Sequence, residues 1–273
     1  MIRTVFQSMM VAAGLMLTST LAFADGSPVV FTAHDYGFTG PERIPAGVTT
    51  MQIVNRGQDL HQIQLLKLLQ GKTAEDFRAA IAAQPGRIPG WVKFVGGPNA
   101  VVPGGDAVAM MPLAEGEYLL ICLIPNEEGI PHLALGMQKA LSVRGGKPVR
   151  VSVPKADVTI TQEDFGFGLS HSITAGIHTL RVLNHGTQPH EVVVVRLAPG
   201  ATASDFAAAA EPRTSTPPPG APIGGVVGIE RGGEAFFTAQ FEPGRYGLIC
   251  FFPDRATGAP HFAKGMTLDF TVR

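Results

Sequence analysis

The chain repeats itself at an offset of about 129 residues, so whatever it folds into is built twice. Asp35-Tyr36-Gly37-Phe38 recurs as Asp164-Phe165-Gly166-Phe167, and Asn55-Arg56-Gly57 with His61 recurs as Asn184-His185-Gly186 with His190. Thr73 to Phe77 recurs as Thr202 to Phe206, and Gly116-Glu117-Tyr118 with Cys122 recurs as Gly244-Arg245-Tyr246 with Cys250. The offset drops by one at the cysteines and recovers at His132/His261 and Met137/Met266, so one deletion and one insertion separate the copies. Two domains are expected, residues 25–145 and 146–273, joined near Val143-Arg144-Gly145-Gly146-Lys147-Pro148.

Within each copy the pattern is mostly β. Gly at 33 and Pro at 22 punctuate the chain too often for long helices. Thr49 to Val54 and Thr179 to Leu183 alternate as half-buried strands do, and Glu191 to Arg196 is a nearly unbroken valine run. Gln62 to Leu66, Tyr118 to Leu123 and Tyr246 to Phe251 read as further strands. One short helix per copy is expected at Ala74 to Ala83 and Ala203 to Ala210, with Thr73 and Thr202 as N-caps and Asp76 and Asp205 three residues on. Trp91 and the Pro-rich stretch Pro212 to Pro222 read as exposed loop. The expected fold is all-β, two Greek-key β-sandwiches in tandem, each with one short helix.

The N-terminus carries Arg3, an apolar run from Val5 to Leu21, and Ala22-Phe23-Ala24, the small-x-small pattern of an export signal cut after Ala24. A periplasmic or secreted protein is expected, with no integral membrane anchor after cleavage. The net charge of -1 gives no strongly basic surface for nucleic acid. Export would favour a disulfide between the two cysteines, but Cys122 and Cys250 occupy equivalent places in separate repeats, so free thiols are expected.

Each copy places a Cys at a strand end, a His after a Pro-containing loop, and a Met five residues beyond that His. The first copy has Cys122, His132 and Met137, and the second Cys250, His261 and Met266, while His61 or His190 follows an Asn-x-Gly turn upstream. One thiolate, two imidazoles and a weak thioether are the donors copper needs to alternate between Cu(I) and Cu(II).

These stretches resemble the cupredoxin (plastocyanin-like, blue copper) family. Gly116-x-Tyr118-x-x-x-Cys122 and Gly244-x-Tyr246-x-x-x-Cys250 are similar to the strand leading into the copper cysteine, and the His-x4-Met spacing matches too. The resemblance implies two type 1 copper sites, one of His61, Cys122, His132 and Met137, the other of His190, Cys250, His261 and Met266. Two features depart from the family. Nine and ten residues separate Cys from His, and Gln62 and Glu191 stand where an Asn often follows the first His and supports the thiolate. Tyr118 and Tyr246 are expected to be tyrosine-corner residues.

The expected function is single-electron transfer with a redox partner protein. Copper storage, delivery or resistance is the alternative. A multicopper reductase or oxidase ranks below both, because Ile121 and Ile249 precede the cysteines and no His-x-His pair exists to hold a second kind of copper.

Overall fold

The computed structural model describes residues 27–145, 153–210 and 217–273. The expected export signal lies outside them, as do Gly146, Lys147 and Pro148 of the expected join. The first half contains β1 (Val29–His34), β2 (Gly37–Thr39), β3 (Arg43–Ile44), β4 (Gly47–Asn55), β5 (Gln64–Leu68), α1 (Ala74–Ala83), β6 (Val92–Gly96), β7 (Asp106–Leu113), β8 (Gly116–Ile121) and β9 (Gln138–Val143). The second contains β10 (Val158–Glu163), β11 (Gly166–Leu169), β12 (Gly176–Asn184), β13 (His190–Leu197), α2 (Ala203–Ala209), β14 (Gly220–Ile229), β15 (Glu234–Phe241), β16 (Gly244–Ile249) and β17 (Thr267–Val272).

In each half two sheets face each other across a core. The alternation along β4, which buries Met51, Ile53 and Asn55 and leaves the residues between half-buried, gives one apolar face to the sandwich. Phe31, Met51, Ile53, Tyr118, Phe241 and Tyr246 are fully buried, and each such large side chain contributes about 1.5–3 kcal/mol by leaving water. Tyr118 and Tyr246 form the expected corners, their hydroxyls donating to the carbonyls of Ala114 (2.6 Å) and Glu242 (3.0 Å). The helices start at Thr73 and Thr202 with complete capping boxes, each Thr hydroxyl accepting from the Asp three residues on while that carboxylate accepts from the Thr N–H. Thr73→Ala and Thr202→Ala are each expected to cost about 1 kcal/mol, read from urea midpoints.

Some boundaries move for identifiable reasons. The strand expected at Gln62 to Leu66 begins at Gln64, because His61 and Ile63 bond a different segment, their N–H groups reaching the carbonyls of Val101 and Pro98. The Pro-rich stretch expected as loop runs into β14 from Gly220, and its residues 211–216 lie outside the described residues.

The halves are joined by strand pairing as well as by the chain. One sheet runs β11-β10-β12-β15-β7-β4-β1-β2 and the other β17-β16-β13-β14-β6-β5-β8-β9-β3, so each continues from one half into the other. The crossings, β15 with β7 and β14 with β6, are both antiparallel pairs of repeat-equivalent strands. The seam is pseudo-symmetric in its main chain, since Asn99 N–H donates to Gly225 O (3.2 Å) and Val227 N–H to Gly97 O (3.1 Å).

Candidate metal centre

Local folding brings three donor groups together in each half. His61 is held by a two-way bridge to Val101, with N–H···O distances of 3.2 and 2.9 Å. The turn before it is tied by Asn55, whose amide donates to the carbonyls of Asp59 (2.8 Å) and Val101 (2.9 Å) and whose oxygen accepts from Gly57 N–H (2.8 Å). Cys122 follows β8, its N–H donating to Met137 O (3.3 Å) and its carbonyl accepting from Leu133 N–H (2.8 Å). His132 opens a 3-10 turn, and Met137 N–H returns to His132 O (2.9 Å). The second half repeats this wiring between Cys250, Phe262, His261 and Met266.

The long Cys–His loops do not separate the ligands. Pro125 and Pro131 bridge one another, as do Pro253 and Pro260, so the extra residues stand aside as small hairpins. Asn126 closes the first, accepting from Glu128 and Ile130 N–H, and Asp254 N–H closes the second on Ala259 O.

The donor atoms converge. His61 Nδ1 lies 3.2 Å from His132 Nδ1, which lies 3.4 Å from Cys122 Sγ. In the second half the corresponding separations are 2.9 and 3.4 Å. All six residues, with Met137 and Met266, are fully buried, and both cysteines are free. A Cys on one strand end, His and Met on the loop into the next strand, and a second His from a neighbouring segment define the layout. Each half carries one such layout on a two-sheet β-sandwich.

No protein-family model matches the chain, and no curated protein does. Among solved structures, auracyanin from Roseiflexus castenholzii is 21% identical over 44% of this chain and 99% of that one, with a TM-score of 0.31. The copper-containing nitrite reductase from Thermus scotoductus is 12% identical over 89% of this chain and 61% of its own, with a TM-score of 0.25. The blue copper oxidase from Nitrosomonas europaea is 12% identical over 89% and 85%, with a TM-score of 0.26. At such scores the functional reading rests on the chain's own topology and donor set.

Carboxylates orient the first His of each half. Asp35 Oδ1 accepts from His61 Nε2 at 2.6 Å and Asp164 Oδ1 from His190 Nε2 at 2.8 Å, which assigns the proton to Nε2 and leaves the Nδ1 lone pair facing the other donors. Gly57 and Gly186 permit this approach, because an added Cβ would stand 2.2 and 2.6 Å from the carboxylate oxygens and 2.6 and 2.5 Å from Nε2. Sequence reasoning missed Asp35 and Asp164. Their signal was present in the recurrence of Asp-aromatic-Gly-Phe in both copies.

The absent Asn after the first His is replaced by main-chain donors. The N–H groups of Gln62 and Ile124 face Cys122 Sγ, and those of Glu191 and Phe252 face Cys250 Sγ, the Glu191 contact at 3.5 Å. Glu191 itself turns away from the sulfur, its Oε1 accepting from Phe251 N–H at 3.0 Å. Burial raises its carboxyl to about 7 against those hydrogen bonds.

The surroundings of the two sites differ. Tyr36 lies against His132 with ring centroids 4.6 Å apart and donates to Asp59 (2.9 Å), which stands 3.5 Å from His132 Nε2. The second domain has Phe165 against His261 at 5.2 Å, with Lys264 over the Phe165 ring at 4.1 Å and paired to Asp254 at 2.8 Å.

The residues fit a thiophilic metal ion. Metal–donor bonds of about 2.0–2.3 Å span donor separations of this size, and two imidazole lone pairs and a sulfur facing one another at 2.9–3.4 Å are best satisfied by a shared cation. Without one, burial pushes the Cys122 thiol up to about 12 and the Cys250 thiol well above its usual range, while burial holds all four histidines below theirs. The pocket therefore rests as thiol and neutral imidazoles, and metal binding must expel the thiol proton. About one proton per bound ion is expected at pH 7, measurable from the buffer dependence of the binding enthalpy.

The histidine shifts also set the pH response of the metal-free chain. His261 is lowered to about 4, by burial first and then by repulsion from His190. The unfolded chain takes up that proton near pH 6.5 and the folded one only near 4, so stability is present above the higher value and falls as pH descends through this window.

His34, His171 and His185 are exposed, and His178 reaches Thr174 O and Asp157. Among the described residues only two clusters of His and Cys with this geometry form, one in each domain.

Proposed function

We propose that the protein is an exported copper protein that transfers single electrons through two type 1 sites, His61–Cys122–His132–Met137 and His190–Cys250–His261–Met266. The observation that carries this reading is the duplicated His-Cys-His pocket, whose donor atoms converge and are fully buried in both halves. Copper bound there supplies a one-electron couple. The protein supplies a donor set whose positions are fixed by main-chain bonds and carboxylates, so little need move when the oxidation state changes.

Burial supports the carrier reading over the delivery reading. A protein that hands its metal on needs an accessible ligand for the exchange, whereas every proposed ligand here is 0% exposed. Electrons can leave through the rim side chains Tyr36 and Phe165 without any ligand opening. A redox partner protein docking at these rims completes the proposal, as does export with cleavage after Ala24. Among the described residues no helix is long and apolar enough to cross a membrane.

The test is a redox titration of the copper-loaded mature chain. Reversible one-electron bleaching of both sites, with rapid exchange to a small redox protein and no turnover of nitrite or phenols, is expected. Turnover of either substrate favours the enzyme reading, and rapid loss of copper to a weak chelator favours storage or delivery.

A further inference from the structure

We infer that the second metal site is completed by the first domain, with Asn99 as its positioning residue. This rests on the copper reading above and adds an asymmetry between the two sulfurs, since among the described residues no second-domain side chain bonds Gln62, the equivalent of Glu191.

Asn99 is fully buried at the seam. Its amide donates to Glu191 Oε2 (3.3 Å) and to Val192 O (3.2 Å), while its oxygen accepts from Ala100 N–H (2.7 Å). The other Glu191 oxygen accepts from Phe251 N–H, so the carboxylate links a first-domain side chain to the residue after Cys250. Glu191 also gives its own N–H to the Cys250 sulfur. Phe94, in β6, meets Phe252 edge-to-face at 4.8 Å and packs into the apolar cluster of Cys250, Phe252 and Met266. Phe252 provides the other N–H to the sulfur. Both N–H groups that support the Cys250 thiolate thus belong to residues held by the first domain.

The repeat supplies the control. The main-chain bonds at the seam are reciprocal, but the position equivalent to Asn99 is Val227 and the position equivalent to Glu191 is Gln62. Among the described residues no side-chain hydrogen bond joins Gln62 to the second domain. Gln64 does reach across, its amide donating to Gly228 O (3.0 Å), but it gives no N–H to the sulfur, so the asymmetry lies in the residues that flank the two sulfurs.

The experiment uses the full chain carrying Cys122→Ser, in which Cys250 is the only thiol, with and without Asn99→Leu. Asn99→Ser, too short to reach Glu191, serves as a second variant. Copper affinity by chelator competition is expected to fall about 10–100-fold, the sulfur-to-copper band to shift, and alkylation of Cys250 by N-ethylmaleimide in the metal-free chain to quicken about tenfold. In a Cys250→Ser chain the same Asn99 substitutions should leave the first site's affinity and band unchanged. Unchanged affinity and alkylation at Cys250, or an equal loss at both sites, would overturn the inference. If the Cys122→Ser chain binds no copper at all, the copper reading fails instead, and the alkylation rate still decides the role of Asn99.

Discussion

Cys122→Ser and Cys250→Ser are each expected to bind one copper fewer per chain and to lose about half of the visible absorbance, with both lost in the double variant. The reason lies in the donor set. Each site has one sulfur that can become a thiolate, and a serine hydroxyl in the same buried position neither ionises readily nor matches a soft ion. The remaining imidazoles and thioether would hold copper weakly and without colour. Because the proposed ligands of each site come from one half alone, either replacement should leave the other site's spectrum in place. Metal analysis with a visible spectrum reads the outcome. A serine variant that keeps its full colour would mean that copper is held elsewhere.

Gly97→Ala and Gly225→Ala are expected to destabilise the chain by at least about 3 kcal/mol each, read from urea midpoints, with loss of copper from the adjoining site. These repeat-equivalent glycines have φ of 133° and 128°. A Cβ at Gly97 would lie 2.1 Å from Ile63 O, and one at Gly225 2.0 Å from Val192 O. Both obstacles are main-chain carbonyls, which cannot rotate away as a side chain would. Ile63 and Val192 stand two residues after His61 and His190, so relieving the clash displaces the segment that carries a ligand. The same glycines accept the reciprocal hydrogen bonds of the seam, which couples the loss of packing to the joint between the domains.

The candidate donors could be read from the sequence because their chemistry is rare. A Cys, a His and a Met at fixed spacing, found twice in register, leave few alternatives, and the structure gathers His61, Cys122 and His132, then His190, Cys250 and His261, within a few ångströms. The tyrosine corners and helix caps were legible for the same reason, since each is a local pattern. What escaped was non-local. Asp35 reaches His61 across 26 residues, and Asn99 reaches Glu191 across 92, with no spacing rule to announce either. The continuous sheets were equally hidden, because edge strands pair through main-chain groups that every residue possesses. The long Cys–His loops, a departure from the family pattern, resolve as side hairpins that leave the ligand geometry alone. Gln62 and Glu191, in place of Asn, yield the support of the sulfur to main-chain N–H groups.

The most direct test of two blue-copper centres is copper content measured together with the visible spectrum of the reconstituted mature chain. The account predicts two coppers per chain and an intense sulfur-to-copper band at about 600 nm that bleaches on reduction and returns on reoxidation. A colourless product, or zinc bound as readily as copper, would contradict it.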